Sequence, residues 1–226
     1  MLTVSTPWCE NLYMPPKRAP AQRITKTKAR QYHHGNLPGA LIEAGLKLIE
    51  EKGIRALTLR EIGAQVGVSR TAAYRHFADK AALLGAIREA GFALFGDALI
   101  AARRAAPAAF APRLTAMALA YVRFAADHPA YYEVMFGWAG RPAERVNAPS
   151  PSGARAFGIL EDTIRQGQQR GEVRPGNPVM LARLVWAQVH GISMLRLEPD
   201  LSAKGAGTRF VEFCSEVLET GLASKH

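Results

Sequence analysis

The chain has 226 residues, 48% of them apolar, and a formal net charge of +10. That length suits one or two domains with a substantial buried core, and the apolar content excludes an intrinsically disordered protein. No run of 18 apolar residues exists, and the N-terminus carries prolines and charges where a secretory signal would be apolar, so the sequence predicts neither export nor a membrane span.

Residues 1–35 contain Pro7, Pro15, Pro16 and Pro20, then the basic series Lys17, Arg18, Arg23, Lys26, Lys28 and Arg30, without helical periodicity. They predict a flexible basic arm. Two readings of it stay open: a tail without a role, or cations that contact phosphate or the minor groove beside a main site. Met1 and Met14 are both eligible starts. Leu37, Leu41, Ala44 and Leu48 form an apolar stripe, with Ile42 and Ile49 beside it, which predicts an amphipathic helix from Leu37 to about Lys52, ended by Gly53.

Thr58 to Phe77 reads TLREIGAQVGVSRTAAYRHF. Thr58 can cap a helix while Glu61 reaches back to complete a capping box, and Leu57 and Ile62 stand where a hydrophobic staple closes it. Leu59, Ile62 and Val66 share one face, and Gly67 ends the helix in a left-handed turn. Ser69 is a second N-cap a turn later, so the segment predicts helix, turn, helix. In such a motif the first residues of the second helix face base edges in the major groove. Arg70 and Thr71 are the candidates for base readout, with Ala72 against a thymine methyl; a phosphate contact or plain exposure stays open for Arg70. Phe77 is assigned to the core, and Tyr74 has core as its alternative. Asp79 caps a fourth helix carrying Leu83, Leu84, Ile87, Phe92, Leu94, Phe95 and Leu99, long enough to link two regions. Lys80 in its first turn faces the positive end of the macrodipole, an unfavourable place unless an anion such as a DNA phosphate is present. Of the 29 Lys and Arg, 14 fall in residues 1–88, against 6 of the 19 Asp and Glu, so the basic excess sits with this segment.

Pro107 and Pro112 separate the fourth helix from a fifth that ends near Asp127, and His128-Pro129 opens a sixth through Phe136. Gly140 to Gly153, with Pro142, Pro149 and Pro151, predicts a mobile loop. Helical pattern resumes near Ala154 and runs to Gly171. The next helix, Pro178 to Leu197, carries Leu181, Leu184, Val185, Trp186, Val189, Ile192, Met194 and Leu195 on all sides and must be covered on several of them. The last, after Gly205 to Gly207, has Phe210, Phe213, Cys214, Val217, Leu218 and Gly221 on one face opposite Glu212, Glu216 and Glu219. These two helices are buried in one subunit or in a dimer interface. No strand alternation appears, so the fold class is all-α.

Gly67-Val68-Ser69, Tyr74, His76-Phe77, Lys80 and Leu83-Leu84, in this order, resemble the DNA-binding domain of the tetracycline-repressor (TetR) family of bacterial transcription regulators. The resemblance extends over Leu37 to about Phe95; Ala72 and Ala73 depart from the common pattern, which has a hydroxyl residue and a larger apolar residue or proline there. Trp186, His190 and Gly191 resemble the Trp-His-Gly signature of one C-terminal type, with His190 either structural or in contact with ligand. The resemblance implies a basic arm (1–35), a three-helix helix-turn-helix domain (36–82) and a helical effector-binding and dimerisation domain (83–226) joined to it by the long helix. It further implies phosphate contacts from Tyr74 and His76, joined by Ser69 and Thr58 at their helix starts. It implies a homodimer, held by a four-helix interface from the last two helices, on a palindromic operator of double-stranded DNA. The expected effector is a small, largely hydrophobic or aromatic molecule, in a cavity whose candidates are Tyr121, Tyr132, Met135, Phe136, Trp138, Phe157, Trp186 and Gln188; a core role for these aromatics is the alternative. Repression is the behaviour the family implies.

Two rival functions remain. His33-His34, His128 and His190 with scattered carboxylates would have to serve an all-α enzyme, but they form no nucleophile or metal spacing, so no catalytic residue, metal or cofactor is expected. A sequence-indifferent nucleoid protein, or a DNA-bound partner without its own ligand, is the other. Cys9 and Cys214 lie far apart, with no zinc or disulfide pattern, which is read as a reducing cytoplasm.

Overall fold

The computed structural model describes residues 36–137, 150–196 and 206–223. The basic arm, Trp138 and most of the proline-rich stretch from Gly140 to Gly153 lie outside them. Among the described residues there are nine α-helices, a short 3-10 turn at Ile54–Ala56, and one isolated antiparallel bridge between Val173 and Ala223.

Helix α1 (Leu37–Lys52) starts where the Asn36 side chain accepts from Gly39 N at 3.1 Å and ends at Gly53, whose φ of 81° a side chain would resist. Helix α2 (Leu59–Val66) starts with Thr58 Oγ1 accepting from Glu61 N at 3.1 Å and stops at left-handed Gly67, φ 79°. The capping box is only half formed: the Glu61 carboxylate accepts from Lys52 Nζ at 2.5 Å, so the long-range cation takes the place of the local amide. Ser69 Oγ accepts from Ala72 N at 3.2 Å to open α3 (Arg70–His76), and Asp79 Oδ1 accepts from Ala82 N at 2.8 Å to open α4 (Lys80–Ala105). With 26 residues, α4 is about 39 Å long.

Two helix starts differ from the sequence expectation. Helix α5 (Phe110–Asp127) already contains Pro112, because proline is tolerated in a first turn whose N–H groups have no helical partner. Likewise α7 (Pro151–Gln169) begins at Pro151 rather than near Ala154, with Ser150 Oγ accepting from Gly153 N at 2.9 Å. Helix α6 (Pro129–Phe136) lies between them in sequence, and α8 (Pro178–Arg196) and α9 (Ala206–Leu222) complete the chain.

Two hydrophobic cores organise these helices. The first joins Leu41, Leu48, Ile62, Ala73, Phe77, Leu83 and Ile87 from α1 to α4 and the Phe77 cap, and it also takes Ala130 and Val134 from α6. The second spans α4 to α9, with Phe92, Phe95, Leu114, Tyr121, Tyr132, Ile164, Val185 and Val211 among its members. Helix α6 thus inserts one face into each core. On α8, Ala182, Val185, Val189 and Ile192 are buried, whereas Met180, Leu184 and Leu195 are more than half exposed; Phe213 and Val217 of α9 are also exposed. Leu218, expected on the same outward face as Val217, instead packs against the second core.

Candidate DNA-reading head and effector cavity

Ala73 is fully buried and Phe77 nearly so, which fixes the orientation of α3 on the first core. Ala73 Cβ lies 3.5 Å from where a Cβ on Gly63 would stand, so α2 and α3 meet through two small residues. A methyl at position 63 would still sit at ordinary contact distance, whereas a side chain longer than alanine at either position would press on the facing helix. Arg70, Thr71, Tyr74, Arg75 and His76 are left facing outward, and Tyr74 is 41% exposed, which removes its core alternative. The Arg70 guanidinium carbon lies 5.3 Å from the Tyr74 ring centroid, a cation–π contact that orders both side chains at the start of α3. Ala72 is half-buried beside them.

Thr58 and Ser69 spend an oxygen lone pair on their caps, but each hydroxyl keeps a proton to donate elsewhere. Lys80 needs a different explanation from the one its position suggested. Its Nζ donates to the Ile54 carbonyl at 2.7 Å and to that of Arg55 at 3.4 Å, so carbonyl oxygens of the 3-10 turn offset the macrodipole without an external anion. Arg75, next to His76 on the outward face, carries a cation that sequence reasoning passed over; only the burial of Ala73 and Phe77 reveals its direction.

A cavity of about 370 Å³ opens inside the second core. Helix α4 supplies Phe92, Phe95 and Leu99 to its wall, α5 supplies Leu114, Met117 and Tyr121, and α6 supplies Phe136. Phe157 and Leu160 of α7 and Trp186 and Val189 of α8 close it. Arg88, Arg183 and the α7 cap Ser150 add polar atoms. The size and the apolar lining with a few polar groups suit a small organic ligand.

Four of the residues expected at the ligand, Tyr121, Phe136, Phe157 and Trp186, line this cavity. Tyr132 and Met135 are buried behind the wall, and Gln188 turns to α9, where its Nε2 donates to the Cys214 carbonyl at 2.9 Å. Trp138 lies outside the described residues. Sequence reasoning missed Phe92, Phe95, Leu114 and Met117, because residues at helical spacing read as core whether they meet a neighbour or a void.

Behind Tyr121 stands a polar cluster within an aromatic box. Trp186 Nε1 donates to Tyr121 Oη at 3.3 Å, while Tyr121 Oη and Tyr132 Oη lie 3.0 Å and 2.7 Å from His190 Nδ1. Burial pushes the Tyr121 phenol far above its ordinary range, with the neighbouring Tyr132 adding to the shift. Burial also raises Tyr132 and lowers His190, so the cluster is neutral near pH 7. The two phenols are also hydrogen-bonded to each other, so Tyr121, Tyr132 and His190 form one neutral network whose proton positions depend on the imidazole tautomer. Nearby, Glu89 of α4 accepts from Ser152 N at 3.1 Å and so ties α4 to the start of α7. Burial would raise its pKa, but hydrogen bonds from Ser150 and Ser152, with Arg88, hold it below the ordinary value.

Among the described residues, an all-helical fold with a helix-turn-helix at one end and a cavity along the connecting helix fits the class of helical DNA-binding regulators. The family described as bacterial regulatory proteins, tetR family, matches residues 41–87, and the tetracyclin repressor-like C-terminal domain matches 114–220. The tetracycline repressor protein class A from transposon 1721 of Escherichia coli is 43% identical over 53 residues, which is 24% of this chain and 24% of that repressor. The chain therefore spans about a quarter of the length of the curated relatives it matches. Across almost the whole fold it is similar to a protein of unknown function from Rhodococcus sp. RHA1, with a TM-score of 0.75 and 30% identity, covering 87% of this chain and 100% of that one. A structure of SmeT in complex with triclosan is similar in fold, with a TM-score of 0.66 and 22% identity, covering 83% of this chain and 92% of that one. The chain belongs to the TetR family of DNA-binding transcription regulators.

Proposed function

We propose that this regulator binds a palindromic operator as a homodimer, represses transcription in the cytoplasm, and is released from DNA by a small, largely hydrophobic effector. In this reading residues 36–82 hold the DNA and residues 83–226 bind effector and partner. The observation that carries it is the shared helix: α4 begins beside the reading head at Lys80 and forms one wall of the cavity through Phe92, Phe95 and Leu99. An effector lowers DNA affinity only as far as it prefers the DNA-incompetent arrangement, and a helix common to both sites can carry that preference. Arg70 and Thr71 read bases, with Ala72 beside a thymine methyl, while Thr58, Ser69, Tyr74 and His76 hold phosphates and Lys80 braces the 3-10 turn beneath them. Tyr121, Phe136, Phe157 and Trp186 contact the effector. The triclosan bound to SmeT, a neighbour in fold, supports a hydrophobic aromatic molecule as the type of ligand.

The exposed apolar side chains of α8 and α9 support the dimer, since a patch of that kind is costly to leave in water. Footprinting on a selected operator, repeated across a panel of small aromatic compounds, tests the reading. It expects a protected, dyad-symmetric site that at least one cavity-binding compound releases. Protection without sequence preference would instead support a nucleoid protein.

A further inference from the structure

The charged groups on the cavity wall are of one sign. Arg88 and Arg183 line it, and no Asp or Glu is among the described lining residues. None of the ion pairs among the described residues engages Arg183. Arg88 is stacked on the wall itself, its guanidinium carbon 5.4 Å from the Phe92 ring centroid. Arg88 lies beside the Glu89 carboxylate, so Arg183 is the lining cation that carries the argument, and Tyr121 with the His190 cluster behind it is neutral at pH 7. Nor does the start of α7 provide the anion site: its Ser152 N–H is taken by the Glu89 carboxylate and its Gly153 N–H by Ser150.

A cationic ligand beside Arg183 would meet like charge. A neutral ligand would leave the Arg183 guanidinium unused. A carboxylate, sulfonate or phosphate head, by contrast, matches the guanidinium fork and forms charge-assisted hydrogen bonds. We propose that the effector is an organic anion with an aromatic or branched apolar body, its negative head paired with Arg183. The body then lies among Phe92, Phe95, Met117 and Phe157. This inference rests on the reading of the cavity as the effector site.

Two fluorescent probes with the same aromatic body separate the two readings. Anilinonaphthalene sulfonate carries an anionic head, and phenylnaphthylamine is the same body without it; each brightens on entering an apolar site. Titrated into the full-length protein, the sulfonate should bind about tenfold more tightly than the neutral amine. Arg183→Gln should remove about that tenfold advantage and leave the amine unchanged, while Arg183→Lys should keep part of it. Ala118→Phe, which narrows the cavity, should weaken both probes; circular dichroism checks that each variant is folded. Equal affinity for the two probes, or a sulfonate preference that survives Arg183→Gln, overturns the anion proposal and leaves the cavity reading standing. Failure of both probes, or binding that ignores Ala118→Phe, overturns the cavity reading and the anion proposal with it.

Discussion

Arg70 and Tyr74 lie in contact across one turn of α3, and their roles nevertheless separate by chemistry. An arginine fork can discriminate a guanine, worth about 1–3 kcal/mol, whereas phosphates carry no direct sequence information. Arg70→Ala should therefore relax preference at one position in each half-site. Tyr74→Phe keeps the ring beneath the guanidinium and removes only the hydroxyl, so it should weaken all sites alike. Affinities for a selected site and its single-base variants measure both, and the reverse pattern would exchange the roles. His190 makes a prediction of another kind. Burial holds its folded pKa below the ordinary 6.5, so the unfolded chain takes up the proton first as pH falls. The stability difference between the wild type and His190→Gln should be constant above about pH 6.5 and shift against the wild type as pH drops through that value toward the folded pKa. Melting curves across that range check it; parallel pH profiles would mean the ring is not buried as a neutral group. At this scale the caps were legible, because Thr58, Ser69 and Asp79 act on amides three residues away. Lys80 and Gln188 were not, since each meets its partner 26 residues along the chain, where local spacing carries no signal.

Helix α6 is the element whose part was hardest to foresee. Its eight residues are apolar almost throughout, so no periodicity separates Ala130 and Val134, which enter the first core, from Tyr132 and Met135, which enter the second. The structure makes it a wedge between the reading head and the cavity, in close contact with α4. A Cβ on Gly91 would stand 2.7 Å from Met135 Sδ and 2.8 Å from Tyr131 Cδ1. Gly91→Val should consequently force the two helices apart and lower stability by about 1–3 kcal/mol, read from urea unfolding. An unchanged midpoint would show that the contact yields freely. Phe136 and Phe157 lie on the cavity wall and away from the first core. Phe136→Ala and Phe157→Ala should reduce release by effector while operator binding without ligand stays nearly intact. Lost DNA binding with normal release would assign them to structure instead. The long α4 was legible from the Asp79 cap and its apolar series, as was its place as the link. The cavity was not, because a void leaves no trace in the spacing of the residues around it.

In the proposed dimer the exposed apolar side chains of α8 and α9 meet a second copy of the chain. Leu184, Phe213 and Val217 stand in solvent in the single chain, while Leu218 is already committed to the chain's own core. An unpaired charge in a dry interface costs several kcal/mol, more than a surface substitution does. Val217→Glu should thus shift a folded protein toward monomer in sedimentation and lower operator affinity by orders of magnitude, since one half-site supplies half the contacts. Leu218→Glu should act mainly on folding. A Val217→Glu protein that stays dimeric and bound would place the interface elsewhere. The all-helical class followed from the absence of strand alternation, and the DNA-binding role from nine ordered positions between Gly67 and Leu84. Which side of α8 turns outward did not follow, because a helix apolar on every side gives the same pattern in a core and in an interface.

Selection of bound duplexes from a random pool tests the central claim most directly. Two copies of α3 in a symmetric dimer must enter successive major grooves on one side of the duplex, about 34–36 Å apart or a multiple of that distance. The account predicts an enriched site with dyad symmetry and half-sites at that spacing, lost when the same selection is run with a cavity-binding effector present. Enrichment of an asymmetric site, or no enrichment at all, would contradict it.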